Sequence, residues 1–271
     1  MPIQPAFDHG LSIWDAHCHP NAPGTTPADR MGNVLKYADR MGVERLCIFM
    51  GRPWDAHPSP ALLKSTNDDI LAMVQAFSDR VFGFVYLNPQ YPRESLAELE
   101  RCVADGPMVG VKLWQAVKAS SRELDPIVKR AAELKAVILQ DSFIYSYPRP
   151  IESSSGPDDV AQLSARYPGV PLICAHTGAN WEQGIRMIRA QRDVYAELSG
   201  SEPVNGFVEM AVRELGAKRV IYASDCYGRS FSSQISKVLD AQITRQEKQL
   251  ILRDNLRRLL LPILSAKGIK A

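Results

Sequence analysis

The sequence predicts an α/β fold, a (β/α)8 barrel built as one domain over residues 1–271. Three observations carry that expectation. Eight short apolar runs alternate with helical patterns, the count a closed barrel needs. Polar residues gather at the C-terminal ends of those runs, where barrel active sites sit. No GxGxxG follows the first run, which sets aside the doubly wound open sheet. A length of 271 residues is long for an average domain and ordinary for a single barrel.

The runs are "SIWDAH" (12–17), "ERLCIFM" (44–50), "VFGFVYLNP" (81–89), "MVGVKLW" (108–114), "AVILQD" (136–141), "VPLICAH" (170–176), "VYAELSG" (194–200) and "RVIYASD" (219–225). Short, β-branched and apolar throughout, they read as strands buried on both faces. Helix signals lie between them. "TPADRMGNVLKYADRMG" offers Thr26 as N-cap, Pro27 at the first helical position and Gly42 just past the end. "YPRESLAELERCVADG" starts near Pro92, spaces Leu96, Leu99 and Val103 along one face and stops at Gly106. "DPIVKRAAELK", "DDVAQLSARYPG" and "NGFVEMAVRELGA" follow the same logic, and "TRQEKQLILRDNLRRLLLPIL" closes the chain as a last helical stretch.

Composition narrows the partners. With 45% hydrophobic and 23% charged residues the chain reads as an ordinary globular protein. The 32 basic and 30 acidic side chains leave a net charge of +2. No charge excess calls for nucleic acid, and no basic block for a membrane surface. No apolar run approaches the roughly 18 residues that span a bilayer. "MPIQPAFDHG" has neither the basic start nor the apolar core of a secretory signal. The cysteines are five and no CxxC occurs, so a reducing, cytoplasmic setting is expected rather than a disulfide framework. The expected partner is a small-molecule substrate. Apolar residues of the last helical stretch are available for a homo-oligomer interface.

The chemistry collects at the strand ends. Of five histidines, His17, His19 and His176 lie there, beside Asp15, Asn88, Lys112, Trp114, Gln140, Asp141, Ser224 and Asp225. His17 and His19, two apart on a strand, point to the same face, the barrel mouth. There they can share one metal ion or pair as hydrogen-bonded core histidines. Asp225 ends an apolar strand, as a metal ligand and proton shuttle or as a helix N-cap. His176 suits an electrophile or proton donor near a substrate carbonyl, or a bond to a loop carbonyl. Lys112 is open to three readings: binding an anionic substrate, carboxylation to bridge two metals, or pairing with Asp141 or Glu197. Arg52 and Arg229, in loops after strands, have the fork geometry to clamp a carboxylate, unless they are simply solvated. Trp54, Trp114, Trp181 and Tyr227 lie in or near the same loops.

"IWDAHCHP", "GVKLW", "LICAHTG", "VIYASDC" and the late "DNLRRLL" together resemble the amidohydrolase superfamily, and most closely its amidohydrolase-2 branch, metal-dependent hydrolases of TIM-barrel fold. The resemblance runs from about residue 12 to 261. It implies a divalent metal, commonly zinc, held by His17, His19, a strand-5 residue and Asp225, with His176 over the substrate. The strand-5 histidine of the family falls at Gln140 or Asp141, and neither is histidine. Asp141 is the expected ligand, since relatives tend to read Gln-His there. An aspartate still binds zinc through oxygen, and it also favours harder ions such as Mn or Mg.

The expected function is therefore hydrolysis of an ester, lactone or amide in a small anionic substrate by metal-activated water. Asp225 takes and returns the proton, His176 stabilises the oxyanion, and Lys112, Trp114, Arg52 and Arg229 hold the substrate. Two other outcomes follow from the same residues: metal-dependent decarboxylation of a small carboxylic acid, and a degenerate barrel that only binds a ligand.

Overall fold

The computed structural model describes residues 9–144, 152–200 and 203–271. Its centre is one parallel sheet of eight strands in sequence order: β1 Ile13–Cys18, β2 Val43–Ile48, β3 Val81–Leu87, β4 Gly110–Leu113, β5 Val137–Gln140, β6 Leu172–Cys174, β7 Val194–Glu197 and β8 Val220–Ile221. Helices follow as α1 Pro27–Arg40, α2 Pro60–Ala76, α3 Pro92–Leu99, α4 Asp125–Glu133, α5 Pro157–Arg166, α6 Trp181–Ile188, α7 Phe207–Leu215, α8 Phe231–Asp240, α9 Arg245–Gln249 and α10 Asn255–Ala266. The (β/α)8 barrel is thus present, each expected strand with it.

The ring closes where regular pairing is weakest. β8 is two residues long, so β1 and β8 meet largely through irregular backbone. Ala16 N–H donates to the Tyr222 carbonyl (3.3 Å) and Asp225 N–H to the His17 carbonyl (2.9 Å), and Cys18 bridges Cys226 in parallel fashion. The sequence expects a strand over 219–225. Regular structure stops early because the chain turns at Asp225, whose φ is 55°. The sixth strand likewise stops before His176, where φ turns to 60°. Both departures place a functional side chain on a turn just beyond a strand rather than on it.

Helix starts were legible locally. Thr26 caps α1: its hydroxyl accepts from Asp29 N–H at 3.1 Å, and the Asp29 carboxylate accepts from Thr26 N–H at 3.1 Å. This reciprocal box is worth about 1 kcal/mol. Pro27 stands at the first turn, where its missing N–H costs nothing. Three helices lay outside the segments singled out in the sequence, α2, α6 and α8. α2 and α8 carry a serine N-cap, Ser59 and Ser230. α3 continues past Leu99 as a π-helical turn, Glu100–Ala104. A second π-turn, Leu250–Asp254, joins α9 to α10.

The C-terminal helices pack against the seam. Tyr222 N–H donates to the Ile251 carbonyl at 2.9 Å. Leu256, Leu259, Leu260, Ile263 and Leu264 are buried, while Leu261 stays exposed, so most of the apolar surface expected to be free for an interface is spent on the barrel. In "DNLRRLL", Asn255 is fully buried and donates to the carbonyls of Ala217 (2.7 Å) and Val220 (2.8 Å), anchoring the chain into β8. Asn255→Leu strands both carbonyls in apolar surroundings. The expected loss is about 1–3 kcal/mol of stability, measured as a lower urea midpoint at unchanged slope.

Candidate active site

His17 sits on β1 and His19 just past its end, and both line the barrel mouth. His17 Nε2 and His19 Nε2 are 3.1 Å apart. Asp225 Oδ1 lies 3.5 Å from the first and 3.6 Å from the second. His19 Nδ1 is 2.9 Å from the Met50 carbonyl. A carbonyl only accepts, so the proton of His19 sits on Nδ1 and its Nε2 carries a lone pair. His17 Nδ1 faces Glu197 Oε1 at 3.3 Å, which favours the same tautomer. Burial, and then the Lys112 charge, hold His17 well below its ordinary pKa; burial also lowers that of His19. Two neutral imidazoles therefore aim lone pairs at one point, with a carboxylate oxygen beside them.

That arrangement repels itself unless a cation fills it. A tetrahedral ion with bonds of about 2.0–2.1 Å sets neighbouring donors roughly 3.3 Å apart, and the measured spacings of 3.1, 3.5 and 3.6 Å bracket that value. The outer partners, Met50 and Glu197, orient the rings as such partners do in metal sites. His17, His19 and Asp225 fit a divalent metal.

Asp141, the ligand expected from strand 5, stands apart from the histidine pair. Among the described residues, two groups of three donors have their atoms within 4.8 Å of one another: His17, His19 and Asp225; and His17, His176 and Glu197. Asp141 joins neither. It lies just past β5, with Oδ1 at 3.3 Å from His176 Nε2 and 3.9 Å from Lys112 Nζ. The short side chain settles between two cations instead of reaching the histidine pair. Burial pushes the Asp141 carboxyl up, but the hydrogen bond from His176 and the Lys112 charge outweigh it and leave it at about 2. Gln140 turns elsewhere, donating to the Asp141 carbonyl at 2.9 Å.

His176 lies on the far side of the site, its ring centroid 5.0 Å from that of His17. Burial alone would favour the neutral ring; Asp141, with the charges of Asp225 and Glu197, raises its pKa to about 9. The imidazolium donates through Nε2 to Asp141 and through Nδ1 to Ser199 Oγ, 3.1 Å away. Gly200, at φ 78°, makes room for this ring, because a Cβ there would fall 2.2 Å from His176 Nδ1. His176 and Asp225 are both non-glycine residues at positive φ, strain of the kind that collects at functional sites.

Lys112, from β4, is almost fully buried, with Nζ 4.9 Å from the Phe49 ring centroid. Burial lowers its pKa, against the pull of Asp141. Of its three readings, the structure pairs it with Asp141. The two histidines, Lys112, Asp141, His176 and Asp225 share a cavity of about 260 Å3 with Met50, Trp54, Trp114, Gln115, Phe143, Gly228 and Arg229. Trp54 and Trp114 meet edge to face at 6.4 Å. Arg229 lines the rim and donates to the carbonyls of Gly228 and Gly200. Arg52 is exposed and does not line this cavity. A larger space of about 470 Å3, bounded by Tyr37, Arg40 and Tyr227, lies outside the mouth and brings no such donors together.

Residues to which sequence reasoning assigned no catalytic, binding or metal role complete the site. Asp15, fully buried, accepts from the N–H of His17 (3.0 Å), from the N–H of Ser224 (2.9 Å) and from the Ser224 hydroxyl. Burial raises its pKa to about 7 against those bonds. Glu197, at the end of β7, entered the sequence reading only as a possible partner of Lys112. Ser199 carried no signal.

The chain belongs to the amidohydrolase family, whose amidohydrolase-2 model matches residues 14–261. No curated protein matches the chain significantly. Among solved structures, 2,6-dihydroxybenzoate decarboxylase from Rhizobium superposes with a TM-score of 0.74 at 16% identity, covering 93% of this chain and 99% of that one. A dihydroxybenzoic acid decarboxylase from Polaromonas, with bound manganese and 2-nitroresorcinol, gives 0.72 at 16% identity over 94% and 98%. A 4-oxalomesaconate hydratase from Rhodopseudomonas palustris gives 0.71 at 16% identity over 94% and 97%. At such identities the likeness is one of fold. The family and the candidate ligand group together support a divalent metal, without selecting zinc. No helix among the described residues is long and apolar enough to cross a membrane.

Asp141→Asn removes the main support of the His176 imidazolium. In metal-free protein the His176 pKa should fall from about 9, read by NMR titration of the ring; an unmoved value would mean that Asp141 does not set its charge.

Proposed function

We propose that this protein is a metal-dependent hydrolase that cleaves a C–O or C–N bond in a small anionic substrate. One observation carries the reading: two imidazole lone pairs and the Asp225 carboxylate converge within 3.1–3.6 Å, across one small cavity from the His176 imidazolium. His17, His19 and Asp225 would hold the ion, with two imidazoles favouring zinc and the carboxylate admitting manganese. When bound, it supplies Lewis acidity that polarises a carbonyl and eases deprotonation of water.

The chain's own groups do the rest. Asp225, 15% exposed in its side chain, accepts a proton from attacking water through the oxygen not facing the histidines, and returns it to the leaving group. His176 offers its Nε2 proton to a developing oxyanion in place of Asp141. Lys112 and Arg229 give the cavity a positive bias for an anion, and Trp54 and Trp114 wall it for a flat body. The small volume restricts the reacting end to about one ring. Arg52 has no place in this reading.

Decarboxylation is the second reading. The aromatic walls Trp54, Trp114 and Phe143 favour it, and two of the solved structures of this fold are decarboxylases of dihydroxybenzoates. In that reaction Asp225 or His176 protonates carbon, and no water enters the product. Turnover in 18O-labelled water separates the two: the label enters the product acid on hydrolysis, whereas carbon dioxide leaves without label uptake by the organic product on decarboxylation.

Protein purified without chelator should carry close to one divalent ion per chain by elemental analysis. Full activity in demetallated protein would remove the metal from the reaction. Asp225→Asn should fold normally and lose about 10²–10⁴ in kcat/KM, measured on whichever substrate turns over; retained turnover would take Asp225 out of proton transfer.

A further inference from the structure

Glu197 lies at the C-terminal end of β7, fully buried beneath the cavity and not among the residues that line it. Its two oxygens serve two different elements. Oε2 accepts from the backbone N–H of His176 (2.5 Å) and of Ser199 (3.3 Å). Oε1 lies 3.3 Å from His17 Nδ1, within ion-pair reach, and neither atom has a hydrogen-bond partner among the described residues. A buried carboxylate oxygen with nothing but one ring nitrogen before it needs a proton on that nitrogen. The Glu197 backbone adds a further tie, its carbonyl accepting from Thr177 Oγ1 at 2.7 Å.

The geometry points to Glu197 as a positioning residue. It holds His17 in the tautomer with the proton on Nδ1, so that Nε2 presents a lone pair beside His19 and Asp225. The same carboxylate pins the left-handed turn that aims His176. One side chain thus links the orientation of a metal ligand to that of the proton donor across the cavity. The inference rests on the metal reading above for its purpose, but the tautomer itself is a property of this chain without any ion.

The residue types make the test sharp. In Glu197→Gln, the amide oxygen must face the two backbone N–H groups, which only donate. That leaves the amide NH2 facing His17 Nδ1, which then becomes an acceptor and sends the ring proton to Nε2. The substitution keeps size and burial while turning the ligand atom into a blocked one. A merely structural role for Glu197 would not move that proton.

Metal-free wild-type protein labelled with 15N-histidine should show the His17 proton on Nδ1 in long-range 1H–15N spectra. Glu197→Gln should show it on Nε2, with Zn2+ or Mn2+ affinity, measured against a chromophoric chelator, weakened by about 10–100-fold. Wild-type His17 carrying its proton on Nε2 overturns the proposal. So does a folded Glu197→Gln that keeps the wild-type tautomer, whether or not its affinity falls. If the variant does not fold, the wild-type spectrum alone decides. A wild-type protein with Nδ1 protonated and no uptake of either ion sinks the metal reading, yet supports the positioning role.

Discussion

The site depends on how the barrel is closed. β8 contributes two residues of regular strand, too few to hold the seam by ladder bonds alone. Asp15 supplies the missing strap. From β1 it grips the N–H and hydroxyl of Ser224 and the N–H of His17. A buried carboxylate is costly unless its oxygens are satisfied, and three donors from both sides of the seam satisfy this one. The strap sets the distance between the segment that carries His17 and His19 and the turn that carries Asp225. It acts together with the bond from Asp225 N–H to the His17 carbonyl, which ties the same two segments directly.

A second carboxylate, Glu197, does for the opposite wall what Asp15 does for the seam. A third, Asp141, is held between Lys112 and His176. The mouth is thus built in alternating charge: carboxylates deep in the structure orient cations and neutral rings that face the cavity. This pattern lets several ionisable groups be buried together, since each has a partner within hydrogen-bond or ion-pair reach. It also explains why His176 favours the imidazolium while His17 and His19 favour the neutral ring. At His176 burial is outweighed by the Asp141 hydrogen bond and the surrounding carboxylates, whereas at His17 and His19 burial outweighs the Asp225 charge.

The membership of the chain in the amidohydrolase family and the fold shared with decarboxylases and a hydratase describe a scaffold with one mouth and several chemistries. In this chain Asp141 is drawn to His176 and Lys112 rather than to His17 and His19. In the proposed reading, two imidazoles and one carboxylate would hold the ion, a set small enough to leave room for water and substrate.

The barrel was legible in the sequence because eight apolar runs and their helix signals are local patterns, each satisfied within a few residues. His17, His19, His176 and Asp225 were legible for the same reason, as polar residues ending apolar strands. Two kinds of information were not local. The strand ends beyond Cys174 and Ile221 turn into left-handed backbone, so period-two reasoning no longer says where a side chain points. And partners such as Asp15 with Ser224, or Glu197 with His17, are separated by 209 and 180 residues along the chain. The sequence determined which side chains stand at the barrel mouth, since strand period and strand order place them there. Only the tertiary structure decided which of them face one another: Asp141 pairs with His176 and Lys112 because burial makes each charge seek its nearest opposite, a choice that spacing along the chain does not encode.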